Sequence, residues 1–146
     1  PNGGRSYYLN RSQPPLLSDM VMHIFGAEGD RRWLAATLPS LEDEYKYWMD
    51  PVRSDHVVRI TLDGKQHTLN RYCADTSSPR PESYAEDVET TSRAATPADR
   101  SAIHCHIASA AESGWDFSSR WMPPHQAEFD LSATATALFI PCDLNA

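Results

Sequence analysis

Residues 96 to 114, TPADRSAIHCHIASAAESG, constrain this chain more than any other segment, because they are punctuated as a helix at both ends. Thr96 is a residue type whose hydroxyl accepts from the free N–H groups of a first turn. Pro97 stands where a missing N–H costs little, and Asp99 puts negative charge at the positive end of the dipole. Gly114 sits where a left-handed C-cap belongs. Trp115 and Asp116 therefore emerge just beyond a helix C-terminus, the position from which helical barrels build active sites.

Two further helices precede it. PPLLSDMVMHIFGAEGD reads as a helix from about Pro15, with Leu16, Met20, Val21 and Ile24 on one face and Gly26 and Gly29 ending it. Asp30 caps a second, running to about Trp48 and interrupted near Pro39. Its stripe of Leu34, Leu38, Leu41, Tyr45 and Trp48 lies opposite Glu42, Asp43 and Lys46. The expectation is an antiparallel helix hairpin with both stripes buried. HVVRITLDGKQHTLNRY then changes period: Val58, Ile60 and Leu62 alternate with polar residues, and Asp63-Gly64 is a two-residue turn signal, so a β-hairpin is expected. A short helix carrying Glu86, Asp87 and Glu89 begins near Ser83. Residues 122 to 135 read as loop, and ATALFIPCDLNA reads as a strand or a helix entry.

Composition narrows the partners. A net charge of −7 argues against nucleic acid and suits a neutral or cationic ligand. No apolar run approaches the ~20 residues that span a bilayer. Cys73, Cys105 and Cys142 are odd in number and lack a CxxC spacing, and His104 and His106 lie two apart on a helix, on different faces, so no metal site is expected. The chain opens on Pro1 and closes on IPCDLNA, which reads as a piece cut from a longer protein, with any localisation signal outside it.

Three loops hold most of the polar and aromatic residues that packing leaves unexplained: PNGGRSYYLNRSQPP, PRPES and SGWDFSSRW. Arginine and amide groups donate in pairs to adjacent hydroxyls, and tryptophan covers the apolar face of a sugar. Glycoside hydrolysis needs one carboxyl group to protonate the leaving oxygen. Asp116, between Trp115 and Phe117, is the candidate, since apolar neighbours disfavour its charged form and raise its pKa. Structural readings stand beside these. Arg11 could be a structural ion pair, Glu82 could pair with Arg80 or another neighbour, and Asp116 could cap the following turn. Asn10-Arg11-Ser12 also fits the N-glycosylation pattern, but falls inside the best candidate binding loop.

PNGGRSYYLNRSQPPLL, LNRY, SPRPESYAEDVE, ESGWDFSSRW and IPCDLNA, in this order and spacing, resemble the central part of the trehalase family. The resemblance covers residues 1 to 146 and weakens at 122 to 137, and the segment RPESYAEDVE resembles animal members more than bacterial ones. It implies a mostly α fold, part of a single (α/α)6 barrel domain with a small β-hairpin insertion. It also implies hydrolysis of α,α-trehalose to two glucoses with inversion, needing no metal or cofactor. The general acid would be Asp116. Substrate contacts would be Asn2, Arg11, Ser12, Gln13, Arg80, Pro81, Glu82 and Gly114. The family's upstream PGGRF signature and its downstream segment with the glutamate base are absent, so the fragment alone is expected to be inactive and short of helix partners. The basic residue often found just before IPCD is also missing. An animal-type parent would be extracellular or membrane-anchored, with membrane contact only through an anchor outside this chain. Two other readings are a carbohydrate-binding relative without catalysis and a helical scaffold. The scaffold has no reason to place RSQ, RPE and GWD in loops together.

Overall fold

In the computed structural model, residues 4, 6–52, 55–126 and 128–146 are described. They form four α-helices and one two-stranded antiparallel hairpin, joined by irregular segments with single 3₁₀ turns. Helix α1 spans Leu17–Glu28 and stops at Gly29, whose φ of 68° provides the left-handed C-cap as its N–H bonds Phe25 O. Gly26 lies inside the helix and does not end it. Helix α2, Arg31–Met49, starts where expected: the Asp30 carboxylate accepts from the N–H groups of Arg32 at 2.8 Å and Trp33 at 3.1 Å. The helix is not interrupted at Pro39, which sits within it. Proline removes one N–H donor, and the remaining ladder of a long helix tolerates that loss.

The apolar stripes are where the sequence expectation departs furthest from the structure. Val21 and Trp48 are buried, but Leu16, Met20, Ile24, Leu38 and Tyr45 are exposed. Helices α1 and α2 pack against each other. The remaining chain reaches α2 at its C-terminal end, around Trp48. Spacing establishes which residues share a face but not whether a neighbour covers that face.

Strands β1 (Val57–Leu62) and β2 (Lys65–Asn70) pair from Val57↔Asn70 to Leu62↔Lys65. Asp63 and Gly64 have φ of 50° and 73°, the double left-handed turn that matches strand twist in two-residue hairpins. A 3₁₀ turn at Pro81–Ser83 leads into helix α3, Tyr84–Thr90. Helix α4, Pro97–Glu112, carries the capping box foreseen, with Thr96 and Asp99 bonded reciprocally. Its C-terminal half is buried on every side, and Ala108, Ala110 and Ala111 let neighbouring chain approach closely. His104 and His106 serve different loops: His104 meets Thr91 and Ser77 O, whereas His106 Nδ1 accepts from Ala137 N. The last segment is neither strand nor helix entry. Apart from a 3₁₀ turn at Thr136–Leu138 it is irregular, and it lies against α4.

The core is an aromatic file. Trp48 meets Tyr72 edge-on at 5.9 Å, Tyr72 meets Trp121 at 6.3 Å, and Trp121 meets Phe139 at 6.1 Å. It joins α2, the LNRY loop, the SSRW loop and the C-terminal segment. Asn70 and Asn145 lock the same junction: Asn70 N donates to Asn145 Oδ1, and Asn145 Nδ2 donates to Asn70 O. With so much apolar surface of α1 and α2 open, the isolated 146 residues should bind a hydrophobic dye and melt without a sharp transition. A cooperative two-state thermal unfolding curve for that chain would contradict this expectation.

Candidate active site

The three motif loops meet at the C-terminal end of α4, and buried carboxylates hold them there. Arg11 is bound on both sides. Its Nη1 donates to Ala111 O at 3.3 Å, and its Nη2 and Nε reach Glu82 Oε1 at 3.2 and 3.4 Å. Both side chains of this ion pair are buried. Arg80 and Glu82, separated only by Pro81, do not pair with each other. Arg80 makes a two-point contact with Asp87, Nε to Oδ2 at 2.9 Å and Nη2 to Oδ1 at 2.7 Å, and its main-chain N–H adds a third bond to Oδ2 at 2.9 Å. Burial alone would lower the Arg80 pKa. The Asp87 bonds and charge, then the Glu82 and Asp116 carboxylates, outweigh it and raise the value.

Asp116 is exposed and, among the described residues, makes no hydrogen bond or ion pair. It follows Gly114, whose φ of 71° turns the chain out of the helix, and the Asp116–Phe117 peptide bond is cis. Its aromatic neighbours do not enclose it, contrary to the sequence expectation. Trp115 is 54% exposed and lies under Arg120 at 5.0 Å, while Phe117 lies under Arg80 at 5.1 Å and packs towards the core. Arg120 is held by two bonds to Asp143, at 3.1 and 2.9 Å, which ties the SGWD loop to IPCD. Trp121 Nε1 donates to Trp115 O. The acid thus stands free in solvent on a loop fixed by its neighbours, within electrostatic range of the buried Arg80 guanidinium.

The other candidates divide by what packing has already consumed. Gln13 is exposed, and its amide makes no bond among the described residues. Gly114 lies against the RSQPP loop: a Cβ placed on it would stand 3.7 Å from Pro14 Cγ. Pro81 begins the 3₁₀ turn and is exposed. The Ser12 hydroxyl is committed to Glu112 at 2.7 Å. Asn2 lies outside the described residues. A cleft of about 530 Å³ is lined by Asn10, Arg11, Ser12, Tyr47, His56 and Asp75. Another of about 460 Å³ is lined by Gly4, Ser6, Glu82 and Tyr84. Both volumes suit a small polar ligand.

Sequence reasoning missed Glu112 and His56. The Glu112 carboxylate is fully buried and accepts from Ser12 N at 2.9 Å, Ser12 Oγ, Cys73 N at 3.0 Å and His56 Nε2, which lies 3.0 Å from both oxygens. Burial would raise its pKa, but the His56 bond and charge, then the two Ser12 donors, hold it below the ordinary value of 4.5. A depressed carboxyl stabilises the fold above its unfolded pKa and loses that contribution as pH falls through the depressed value. The stabilisation from Glu112 is therefore complete above about pH 5 and is lost below 4.5. Replacing Glu112 with glutamine should flatten the acid limb of the stability curve of the full-length protein, as read by denaturant unfolding between pH 3 and 6. The one signal in the sequence was a lone charge ending the otherwise small and apolar run IASAA.

The trehalase family profile matches residues 1–146. The chain belongs to the trehalase family. It is 43% identical over 148 residues to the trehalase of Tenebrio molitor, covering all of this chain and 26% of that protein. It is 46% identical over 144 residues to a probable trehalase of Oryza sativa subsp. japonica, covering 99% of this chain and 24% of that one. It is 46% identical over 154 residues to a putative periplasmic trehalase of Salmonella typhi, covering all of this chain and 25% of that one. The chain spans about a quarter of the length of these trehalase relatives. Identity to these insect, plant and bacterial members falls in one narrow band.

Proposed function

We propose that this chain supplies the general-acid half of the catalytic centre of a trehalase that hydrolyses α,α-trehalose to two glucoses with inversion. The observation that carries the reading is the free Asp116 carboxylate, exposed on a fixed loop beside Arg80, where the RSQ, RPE and SGWD segments of a trehalase-family chain come together. Asp116 protonates the glycosidic oxygen of the departing glucose. A second carboxylate, from outside these 146 residues, activates a water on the opposite face of the other ring, the two carboxyl groups being ~6.5–9.5 Å apart in inverting enzymes. Gln13 and the Nη1 edge of Arg80, unbonded among the described residues, are donors available to sugar hydroxyls. Arg11, Glu82, Pro81 and Gly114 complete the contacts, together with Asn2, while Ser12 serves the site through its bonds to Glu112. The remaining helices of an (α/α)6 barrel cover the open stripes of α1 and α2. The parent protein works in a periplasmic or extracellular setting, as the periplasmic relative suggests. Among the described residues no helix is long and apolar enough to cross a membrane.

Inversion has a direct readout. Water attacks one anomeric carbon from the β face while the departing glucose keeps its α configuration, so the first products are α- and β-glucose in equal amounts. Proton NMR of the full-length protein acting on trehalose should show equal anomeric signals before mutarotation. Initial release of α-glucose alone would sink inversion, and no glucose at all with trehalose still bound would favour the non-catalytic relative.

A further inference from the structure

We propose that Glu112 is a positioning residue of the trehalose site: its carboxylate binds the main chain and hydroxyl of Ser12 and so fixes Arg11 and Gln13 relative to Asp116. The inference rests on the reading of Asp116 as the acid and of the RSQ loop as a substrate contact. Glu112 lies four residues before Asp116, at the last turn of α4. Its four donor groups come from three separate segments: the RSQ loop through Ser12, the entry to β1 through His56, and the loop after β2 through Cys73. A fully buried carboxylate is costly unless every oxygen is satisfied, and here each oxygen receives at least two donors. Arg11 grips the same helix end through Ala111 O. The RSQ loop is thus pinned to α4 at two consecutive residues of the helix, just before the turn that carries the acid.

The chemistry requires a carboxylate and not merely a polar group of that size. The main-chain N–H groups of Ser12 and Cys73 can only donate, and His56 Nε2 facing two carboxylate oxygens donates as well. A glutamine would turn its NH₂ group onto at least one of these donors. His56 is aligned by this bond and by ring contacts with Trp48 at 4.4 Å and Tyr47 at 5.1 Å, and its Nδ1 has no partner among the described residues. Among the described residues, the ring's hydrogen bonds are all to Glu112.

The test uses the full-length protein that contains this chain, with trehalose as substrate, and four variants: Glu112→Gln, Ser12→Ala, the two combined, and His56→Phe. His56→Phe keeps the ring contacts and removes the donor. A hydrogen bond to a charged group is worth about tenfold or more in an equilibrium. Ser12→Ala should therefore raise KM about tenfold, and Glu112→Gln between about ten- and a hundredfold, with kcat within about threefold of wild type. The double variant should be no worse than Glu112→Gln alone, because Ser12 acts through Glu112. Additive effects in the double variant would mean that Ser12 meets the sugar independently, which overturns the proposal. So would an unchanged KM accompanied by a lower melting temperature, since Glu112 would then be a packing contact only. If Glu112→Gln does not fold, His56→Phe decides: a several-fold rise in KM with kcat retained supports positioning, and an unchanged KM overturns it. Wild-type protein that releases no glucose from trehalose would bring down the functional reading and this proposal together. Active wild type with unmoved KM in the variants would remove this proposal alone.

Discussion

Asp116→Asn, made in the full-length protein, is expected to lower kcat by about 10³-fold, the middle of the range that general acid catalysis contributes, while trehalose binding stays near wild type. The amide is nearly isosteric with the carboxyl group but cannot deliver a proton to a departing sugar oxygen, so the loss falls on the chemical step and not on ground-state binding. The variant is also unusually clean. Among the described residues Asp116 makes no hydrogen bond or ion pair and is exposed, so stability should change by no more than about 0.5 kcal/mol. Turnover, calorimetric binding of trehalose and a melting curve separate the alternatives. Equal turnover in variant and wild type would place the acid elsewhere and leave SGWD as a packed helix end. Lost turnover with lost binding would make Asp116 a binding group and not the proton donor. A carboxyl group displaced by one methylene, as in Asp116→Glu, should retain only part of the rate, because proton transfer requires the heavy atoms to come within hydrogen-bond reach.

The contrast between Asp116 and Glu112 shows what a sequence can and cannot reveal. The two carboxylates are four residues apart, and the resemblance to trehalases singles out only the first. Helix α4 was legible to the residue at its start because Thr96, Pro97 and Asp99 act locally, within one turn. The hairpin turn was legible for the same reason, since Asp63-Gly64 carries its own backbone preference. Partner choice was not legible. Arg80 and Glu82 flank one proline, yet Arg80 takes Asp87, seven residues ahead, and Glu82 takes Arg11, from a loop 71 residues away. Such pairings depend on the three-dimensional path of the chain, which no local spacing encodes. The stripes of α1 and α2 fail as core for a related reason. Periodicity marks Leu38 and Tyr45 as one face, and only a neighbouring helix can bury that face.

Removing the partner of Arg80 should produce the largest loss of stability. Asp87→Ala leaves the guanidinium of Arg80, a residue only 8% exposed, without its two-point contact and leaves the Arg80 main-chain N–H without an acceptor. Breaking a buried ion pair from one side costs about 3–5 kcal/mol, because the remaining charge stays desolvated. Denaturant unfolding of the full-length protein should show a fall of that size, with Asp87→Asn losing less because its amide oxygen still accepts. The double variant Asp87→Ala, Arg80→Leu should recover part of the stability, since no charge is then left unpaired. It should not recover activity. If Arg80 faces trehalose with the edge that Asp87 leaves free, removing both restores the fold and still forfeits the donor. Recovery of stability and turnover together would show that the pair serves the fold alone, and would leave Gln13 and Arg11 as the polar contacts beside the acid. Recovery of neither would mean that Arg80 also holds Phe117, over whose ring it lies, and through Phe117 the loop that presents Asp116.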